Sequence, residues 1–456
     1  MESALKTLNA IIWGVPVLSL ILLIGIFLTI RSKFAQFRLL PAAFRQFIHS
    51  IKGNDSEKSG YRAMCTALAA TVGTGNIAGV AGAIALGGPG VLFWMWICAF
   101  LGMMTKFAEI ILAVHYREKD QNGEYLGGPM YIIQKALPSG MHFLGYIYCY
   151  FGIVAALGVG NAAQINTVID GIKRIAASNG YPIGNMNILL IGLGIAALLG
   201  CIFKTGASGI GRIAEKLVPI ASVIYICMAV IVLILKIEEI PNAFHAIIKG
   251  AFTPEAVTGG TMGSLYLTLR VGTSRGVFTN EAGMGTASIA HAASKVNHPV
   301  EQGLMGIIEV FLDTIVICTL TGLVILCSGV PVPYGLDPGI TLTMDAFSGA
   351  LGDWSIIILT ALTCVFAFAT VLGWGLYGAR CFQYLFGMHT WKYFTIAQCM
   401  AVVLGTVLNT SVVWLLSEIV NGLMAIPNLL ILFMLSDVII TIQKDHYMKE
   451  KAYRLR

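Results

Sequence analysis

The sequence predicts an all-α polytopic membrane protein, and three observations carry that prediction. Hydrophobic residues make up 57% of the 456 positions and charged residues 11%, whereas a soluble domain has roughly 25% charged residues. Apolar runs of about 20 residues, enough for a helix to cross a hydrocarbon core about 30 Å thick, recur along the chain. Two of these runs are interrupted by glycine and polar residues. A water-soluble globule is therefore excluded.

About eleven transmembrane helices are predicted from these runs. They begin near residues 9, 63, 90, 142, 186, 214, 259, 303, 355, 393 and 418. After the first span, the remaining spans divide along the chain into two sets of five, and each set opens with an interrupted span. Because each set has an odd number of spans, the second set begins on the opposite side of the membrane. This predicts an extra N-terminal helix and two inverted five-helix repeats, the first helix of each broken at the midplane.

The domain boundaries follow from this division. They are an N-terminal transmembrane helix with a basic cytoplasmic loop (1–60), a first repeat (61–240), a second repeat (241–443) and a basic cytoplasmic tail (444–456). The first span, "IIWGVPVLSLILLIGIFLTI", is too long for the apolar region of a signal peptide and shows no cleavage site, so we expect it to be retained.

Lysine and arginine placement predicts the orientation, because positively charged loops stay cytoplasmic. If residues 31–62 are cytoplasmic, strict alternation puts most of the 29 Lys and Arg on that side. The loop at 329–354, which has aspartates but no Lys or Arg, then lies outside. The sequence thus predicts a multi-pass protein of the cell membrane with its N-terminus outside and its C-terminus in the cytoplasm. The net charge of +6 reflects this bias rather than a nucleic-acid partner.

The first interrupted span contains "AATVGTGNIAGVAG", residues 69–82, with four glycines and no charge. In hydrocarbon, unwound backbone survives only where protein, water or a ligand supplies hydrogen-bond partners. A half-helix that begins near Thr74 presents free N–H groups and partial positive charge, and one that ends near Val72 presents carbonyl groups. A single break therefore offers a carboxylate site beside a cation site. Paired interrupted helices in inverted halves are typical of a transporter's central site.

Other interpretations of this stretch stay open. Gly75 and Gly79 form a G-x-x-x-G pair, which is also a helix-packing motif. That explains Gly79 and Gly82 but not the cluster Gly73–Asn76. The glycine spacing does not fit a dinucleotide fingerprint. The ten cysteines and eight histidines show no metal-binding spacing, so we expect no structural metal and no organic cofactor.

An intramembrane enzyme and a channel are the alternative function classes. The segment "GTSRG" at 272–276 matches G-x-S-x-G, but a nucleophile elbow requires a strand-to-helix turn with a histidine and an acid nearby. Here the motif lies in a transmembrane break. A channel would require a continuous polar pore, whereas two interrupted helices favour a gated central site. No enzymatic activity is therefore expected.

Several long segments closely resemble the alanine/glycine:cation symporter family, also called sodium:alanine symporters. They are "TVGTGNIAGVAGAIALGGPGVLFWMWICAFLGMMTKFAE", "GEYLGGPMYII", "RGVFTNEAGMGTASIAHAA", "HPVEQGLMGIIEVFLDT" and "FAFATVLGWGLYGARC". The likeness runs from about residue 60 to 440. It implies the bacterial leucine-transporter fold. The segment "VGTGN" resembles the "VGLGN" turn of that fold. It also implies symport of a small neutral amino acid, alanine or glycine, with sodium by alternating access.

The resemblance also implies the site residues. The N–H groups of Thr74 and Gly75 would hold the substrate carboxylate, and carbonyl groups of the second break would take the ammonium group. Sodium suits oxygen ligands and requires no carboxylate. The implied substrate residues are Thr71, Thr74, Gly75, Phe278, Thr279 and Asn280. The implied sodium ligands are Ala69, Val72, Ala367 and Thr370. Asn76, and less directly Thr71, are implied at a candidate second ion.

Three further polar or aromatic residues are expected at the substrate on their own chemistry. Polar groups inside an apolar span are costly and indicate function. By that rule, Asn161 and Gln164 are the expected side-chain partners, although a hydrogen bond between helices far from the substrate would also explain them. Trp374 lies on the same helix face as Thr370 and would cap a small side chain; the alternative is a packing role.

Intramembrane charges are expected to pair or to gate rather than to bind substrate, since helix ends can hold a zwitterion without a fixed countercharge. They are Lys106, Glu109, Arg270, Arg275, Glu281, Glu309 and Asp313; among them Glu281 could couple protons. The glycine-rich break favours alanine, glycine or serine. Proton coupling, or a larger neutral amino acid such as glutamine, is the alternative. The partners are thus the amino acid, Na⁺ and the lipid bilayer, and a monomer is sufficient.

Overall fold

A computed structural model describes residues 2–121, 123–178, 180–181, 183–252, 265–407 and 410–454. One short antiparallel sheet pairs β1 (Glu118–Lys119) with β2 (Tyr125–Leu126). The α-helices within these ranges are α1 (Glu2–Ile12), α2 (Val15–Arg31), α3 (Ala35–Lys52), α4 (Asp55–Thr71), α5 (Ala78–Gly87), α6 (Val91–His115), α7 (Pro129–Ala136), α8 (Phe143–Leu157), α9 (Ala163–Ser178), α10 (Asn185–Phe203), α11 (Gly206–Leu235), α12 (Ile240–Phe252), α13 (Leu265–Asn280), α14 (Thr286–Ala292), α15 (Pro299–Val310), α16 (Thr319–Cys327), α17 (Thr341–Leu351), α18 (Trp354–Phe386), α19 (Trp391–Gly405), α20 (Thr410–Met434) and α21 (Ser436–Arg454).

Two long helices contain π-helical stretches. Gly158–Ala162 joins α8 to α9, and Phe311–Cys318 joins α15 to α16. Such stretches insert an extra residue into a turn and are frequent at functional sites. Both lie where the sequence places polar side chains inside an apolar span.

Among the described residues, seven helices are long and apolar enough to cross a membrane, or up to nine if each of two bent pairs is one span. One bent pair is the predicted first break: Lys58–Thr71 and Thr74–Gly87 meet at 59°. The start of the predicted seventh span, 259–264, lies outside the described residues, and the remainder forms α13 and α14. Helices α13 and α19 have only 16 and 15 residues. The number eleven therefore stays a prediction.

The segment predicted to be a basic loop is helical. It forms α3 and the first turns of α4. Ala35, Leu39 and Ala43 recur at intervals of one helical turn and are buried, and α3 packs against α4 and α15. The charged face of this amphipathic helix accounts for the loop-like composition.

Helix α18 runs through the middle of the molecule and contacts α4, α8, α9 and α11. Close approach depends on small residues. A Cβ added at Gly373 would lie 2.7 Å from the backbone nitrogen of Ala70, which places α18 directly against the end of α4. Helix α6 likewise packs against α13, α14 and α15. The two breaks are thus held between α18 on one side and α6 on the other.

Candidate substrate and cation site

The first break begins where the hydrogen-bond pattern of α4 stops. The last regular helical bond is donated by the Val72 backbone at 2.7 Å. The next donor, Gly73 N–H, bonds to the side-chain Oδ1 of Asn76 at 2.9 Å instead of the Ala69 carbonyl. The Ala69 carbonyl is thereby left without its helical donor. The local cause is the sequence "GTGN", whose asparagine replaces a backbone acceptor with a side-chain one.

The residues after the break present backbone donors. Thr74–Asn76 forms a single 3-10 turn, and α5 begins at Ala78. The N–H groups of Thr74 and Gly75 have no hydrogen-bond acceptor among the described residues. Both residues line a cavity. Two free donors at a helix N-terminus form a site suited to a carboxylate.

Thr370 lies beside the break on α18. A Cβ added at Gly73 would come within 2.6 Å of the Thr370 Oγ1. The Thr370 hydroxyl donates its proton to the Phe366 carbonyl at 3.0 Å, so its lone pairs remain available for a cation. Ala367 is buried one turn earlier on the same helix. The predicted cation ligands of α4 and α18 therefore lie on two helices that meet at Gly73.

Gln164 reaches the break directly. Its Oε1 accepts a hydrogen bond from the Thr74 hydroxyl at 2.9 Å, and its Nε2 donates to the Val159 carbonyl at 3.2 Å. The second bond orients the amide, because Val159 belongs to the π-helical stretch before α9. Gln164 thus forms a side wall next to the two free N–H groups.

Two predicted substrate residues have other partners. The Asn161 Nδ2 donates to the Gln398 carbonyl of α19 at 2.8 Å, which favours the alternative of a hydrogen bond between helices. The Thr71 hydroxyl donates to the Ala67 carbonyl within its own helix at 3.3 Å. Neither side chain bonds to the residues that carry the free N–H groups.

Trp374 is buried and packs against the π-helical stretch. A Cβ added at Gly160 would lie 2.2 Å from the Trp374 Cβ, so only glycine permits this approach. The indole ring meets Tyr377 at a centroid distance of 5.8 Å. This geometry favours the packing alternative.

The second break faces the first. A Cβ added at Gly75 would lie 3.5 Å from the Thr279 side chain and 3.9 Å from the Phe278 ring. Helix α13 ends at Asn280. The Asn280 amide turns away from the cavity, donating to the Thr314 hydroxyl at 3.1 Å. Phe278 and Thr279 are thus adjacent to the carboxylate position, whereas Asn280 supports the turn.

Asp313, which the sequence predicts to pair or to gate, lies at the candidate site. Its Oδ1 accepts from the Asn76 Nδ2 at 2.7 Å, and its Oδ2 accepts from the Thr314 hydroxyl at 2.8 Å. Thr314 in turn binds Asn280. One buried carboxylate therefore connects the two breaks. Its signal in the sequence is an aspartate inside an apolar span, which indicates function by default.

Glu109 has the corresponding role at the second break. Its Oε1 accepts from the backbone N–H groups of Gly283 at 2.8 Å and Gly285 at 3.2 Å. The Asn428 Nδ2 donates to the same oxygen at 2.7 Å. A carboxylate of the protein therefore occupies the N–H groups of this turn, as a ligand carboxylate would at the first break.

The other buried charges pair with each other. The Lys106 Nζ lies 3.2 Å from the Glu309 Oε1, and the His291 Nε2 lies 2.9 Å from the Glu309 Oε2. Glu281, which has a left-handed backbone with φ of 55°, accepts from the Thr286 hydroxyl at 2.5 Å. Lys106 therefore pairs with Glu309 on α15 and not with its neighbour Glu109.

The cavity above the first break has a volume of about 500 Å³, and its lining includes Thr74, Gly75 and Phe278. Arg275 and Glu418 also line this cavity, and the Arg275 Nη1 lies 3.2 Å from the Glu418 Oε1. This ion pair joins α13 to α20. The Arg275 guanidinium lies 6.0 Å from the centre of the Phe278 ring. This pair of opposite charges thus lines the same cavity as the first break and the loop at 337–341.

Comparison with known proteins decides the family. The model of the sodium:alanine symporter family matches residues 1–455. The chain belongs to the sodium:alanine symporter family. The resemblance inferred from the sequence motifs is thereby confirmed. The protein is a membrane transporter that carries out amino-acid symport, and it is not an enzyme.

Two named relatives span nearly the whole symporter. The sodium/alanine symporter AgcS of Methanococcus maripaludis is 41% identical over 445 residues, which cover 96% of each chain. The probable sodium/glutamine symporter GlnT of Bacillus subtilis is 37% identical over 457 residues, which cover 99% of this chain and 92% of the relative.

The fold is that of the bacterial leucine transporter. The crystal structure of MhsT in complex with L-phenylalanine matches with a TM-score of 0.55 over 80% of this chain and 87% of MhsT, at 16% identity. At that identity the likeness establishes the fold alone. The segment "GTSRG" lies within α13 of the symporter, so Ser274 is not on the strand-to-helix turn of a hydrolase.

Proposed function

We propose that this symporter couples inward sodium movement to the uptake of a small neutral amino acid, alanine or glycine, by alternating access. The observation that carries the proposal is the geometry at Gly73. Two free N–H groups follow it in the chain, and the Thr370 hydroxyl lies against it. A carboxylate and a cation bound there would neutralise each other. Each ligand would then bind more tightly when the other is present.

Coupling to sodium supplies the energy that a zwitterion lacks. An amino acid with no net charge cannot be concentrated by the membrane potential alone. One sodium ion moving inward through 100 mV releases about 2.3 kcal/mol, enough for roughly 50-fold accumulation. The relatives named as sodium/alanine and probable sodium/glutamine symporters support sodium as the ion.

The walls next to the free N–H groups favour a small side chain. Thr74 is tied to Gln164 at 2.9 Å, and Thr279 and Phe278 stand within about 4 Å of where a Gly75 Cβ would be. A Cβ at position 75 would therefore already be in van der Waals contact with both walls. Alanine, glycine or serine would fit such a space, whereas glutamine would have to extend into the cavity above it.

The two breaks support the proposal of inverted repeats at 61–240 and 241–443. The N–H groups of Gly283 and Gly285, in the second half, donate to the Glu109 carboxylate of the first half. In the first half, Thr74 and Gly75 offer equivalent groups to a substrate carboxylate. We infer that the second break is fixed by its own carboxylate, so that only the first exchanges ligand.

The Arg275–Glu418 pair supports a gate on the loop side of the cavity. It connects α13, which carries the second break, to α20 at a distance of 3.2 Å. Both side chains are about one-fifth exposed, so water reaches the pair. We infer that separating the pair opens the cavity to the side of the 337–341 loop.

Uptake of labelled alanine into proteoliposomes tests the proposal. An inward sodium gradient should drive accumulation that excess glycine inhibits, and a potassium gradient should not. Accumulation driven by a proton gradient without sodium would overturn the choice of ion. Stronger inhibition by glutamine than by glycine would overturn the choice of substrate.

A further inference from the structure

We propose that the N-terminal helix positions the gate carboxylate, with Asn9 and Trp13 as positioning residues for Glu418. This inference rests on the proposed gate between Arg275 and Glu418. It assigns a transport role to a helix that precedes both proposed repeats. Its basis is a set of three contacts that converge on one residue of α20.

Each oxygen of Glu418 has a separate partner. The carboxylate Oε1 faces the Arg275 guanidinium at 3.2 Å. The other carboxylate oxygen, Oε2, accepts a hydrogen bond from the Asn9 Nδ2 at 2.6 Å. The Trp13 indole Nε1 donates to the Glu418 backbone carbonyl at 2.6 Å. The N-terminal segment therefore holds the carboxylate through Oε2 and leaves Oε1 available for the arginine.

Packing holds α1 against this point. Trp13 is buried, with 4% of its surface exposed. A Cβ added at Gly422, one turn after Glu418, would lie 2.5 Å from an Ile12 methyl group and 3.2 Å from the Trp13 Nε1. Only glycine at position 422 lets α1 lie this close to α20. The asparagine and tryptophan donors thus reach Glu418 from a fixed distance.

The N-terminal segment is also tied to the end of α20 and to the start of α21. Arg31 donates to the Ser436 hydroxyl at 2.5 Å and pairs with Asp437. The Phe27 and Phe433 rings meet at a centroid distance of 5.3 Å. These contacts anchor α2 far from the cavity. They provide a control, because they hold the helix without touching the gate.

Fixing the carboxylate in advance should strengthen the gate. A free glutamate loses rotamer freedom when it pairs, and a partner that already holds it removes part of that cost. Loss of the Asn9 amide returns this rotamer cost to the pairing step, which corresponds to about a tenfold change in the equilibrium between the closed and the open gate. The gate should therefore open about tenfold more readily without Asn9.

The test measures access to the cavity in membrane vesicles that contain the full chain. Gly79→Cys provides the reporter, because Gly79 lines the cavity and its added Cβ meets nothing within 4 Å. The rate of labelling by a membrane-impermeant thiol reagent is compared among Asn9→Ala, Glu418→Gln, the double variant, and Arg31→Gln. The protein without Gly79→Cys gives the background from native cysteines.

We expect Asn9→Ala to raise the labelling rate about tenfold. The same substitution should add nothing in the Glu418→Gln background, and Arg31→Gln should leave the rate near its original value. Trp13→Phe should act in the same direction while keeping the packing.

A faster rate in Glu418→Gln with no change in Asn9→Ala and Trp13→Phe would overturn the positioning role. An equal effect of Arg31→Gln, or additive effects in the double variant, would show a purely structural role. No change in Glu418→Gln would overturn the gate itself, a failure of the proposed function.

Discussion

At the scale of single residues, the proposed coupling mechanism depends on one hydroxyl. Thr370 is the predicted cation ligand whose oxygen lies next to the break, and its proton is already given to the Phe366 carbonyl. A hydroxyl oxygen whose proton is already donated can only accept a further hydrogen bond or coordinate a cation. Its removal should therefore weaken cation binding without leaving an unsatisfied donor.

We expect Thr370→Val to raise the sodium concentration for half-maximal alanine uptake about tenfold, since it removes one ligand of a charged group while keeping the shape. Thr363→Val is the matched control. Its hydroxyl also bonds back along α18, to the Leu359 carbonyl at 2.7 Å, but a Gly73 Cβ would not meet it. Unchanged sodium dependence in Thr370→Val would remove that residue from the cation site.

At the scale of elements, the position of the first break was predictable because its causes are local. Glycines and one asparagine end α4 at Thr71 and start a new turn at Thr74, within a residue of the expected positions. The partners of the break were not predictable. The Asn76 amide binds Asp313, and Asn161 binds Gln398, each 237 positions away. Packing determines such pairs, and no pattern along a single helix contains them.

The break should also be sensitive to one added methyl group. Gly73 has φ of −140°, which alanine can adopt, so Gly73→Ala adds no backbone strain. Its Cβ would nevertheless lie 2.6 Å from the Thr370 Oγ1. We expect sodium-dependent uptake to fall more than tenfold, because overpacking costs roughly 1–3 kcal/mol. Gly79→Ala, six residues on with no atom within 4 Å, should transport normally. Equal uptake by both variants would contradict close contact between α4 and α18 at the site.

At the scale of the whole molecule, the first break lies among helices from distant parts of the chain. Helix α18 lies against the end of α4 at Gly373, while α13 is tied to α20 by the Arg275–Glu418 pair. Buried carboxylates join the breaks to α6 and to the π-helical stretch after α15. Ligands bound at Gly73, as proposed, would therefore act on elements from both halves of the chain.

This arrangement predicts that the two ligands stabilise the protein together. A ligand that binds only the folded state at 100 times its Kd adds about 2.7 kcal/mol, and the linkage between two sites is reciprocal. Alanine should raise the unfolding temperature of the purified protein in sodium chloride and leave it nearly unchanged in potassium chloride. Thr370→Val should reduce this sodium-dependent shift, whereas Thr363→Val should keep it. If alanine stabilised the protein equally in both salts, carboxylate and cation would bind independently, and the break at Gly73 could not be the point of coupling.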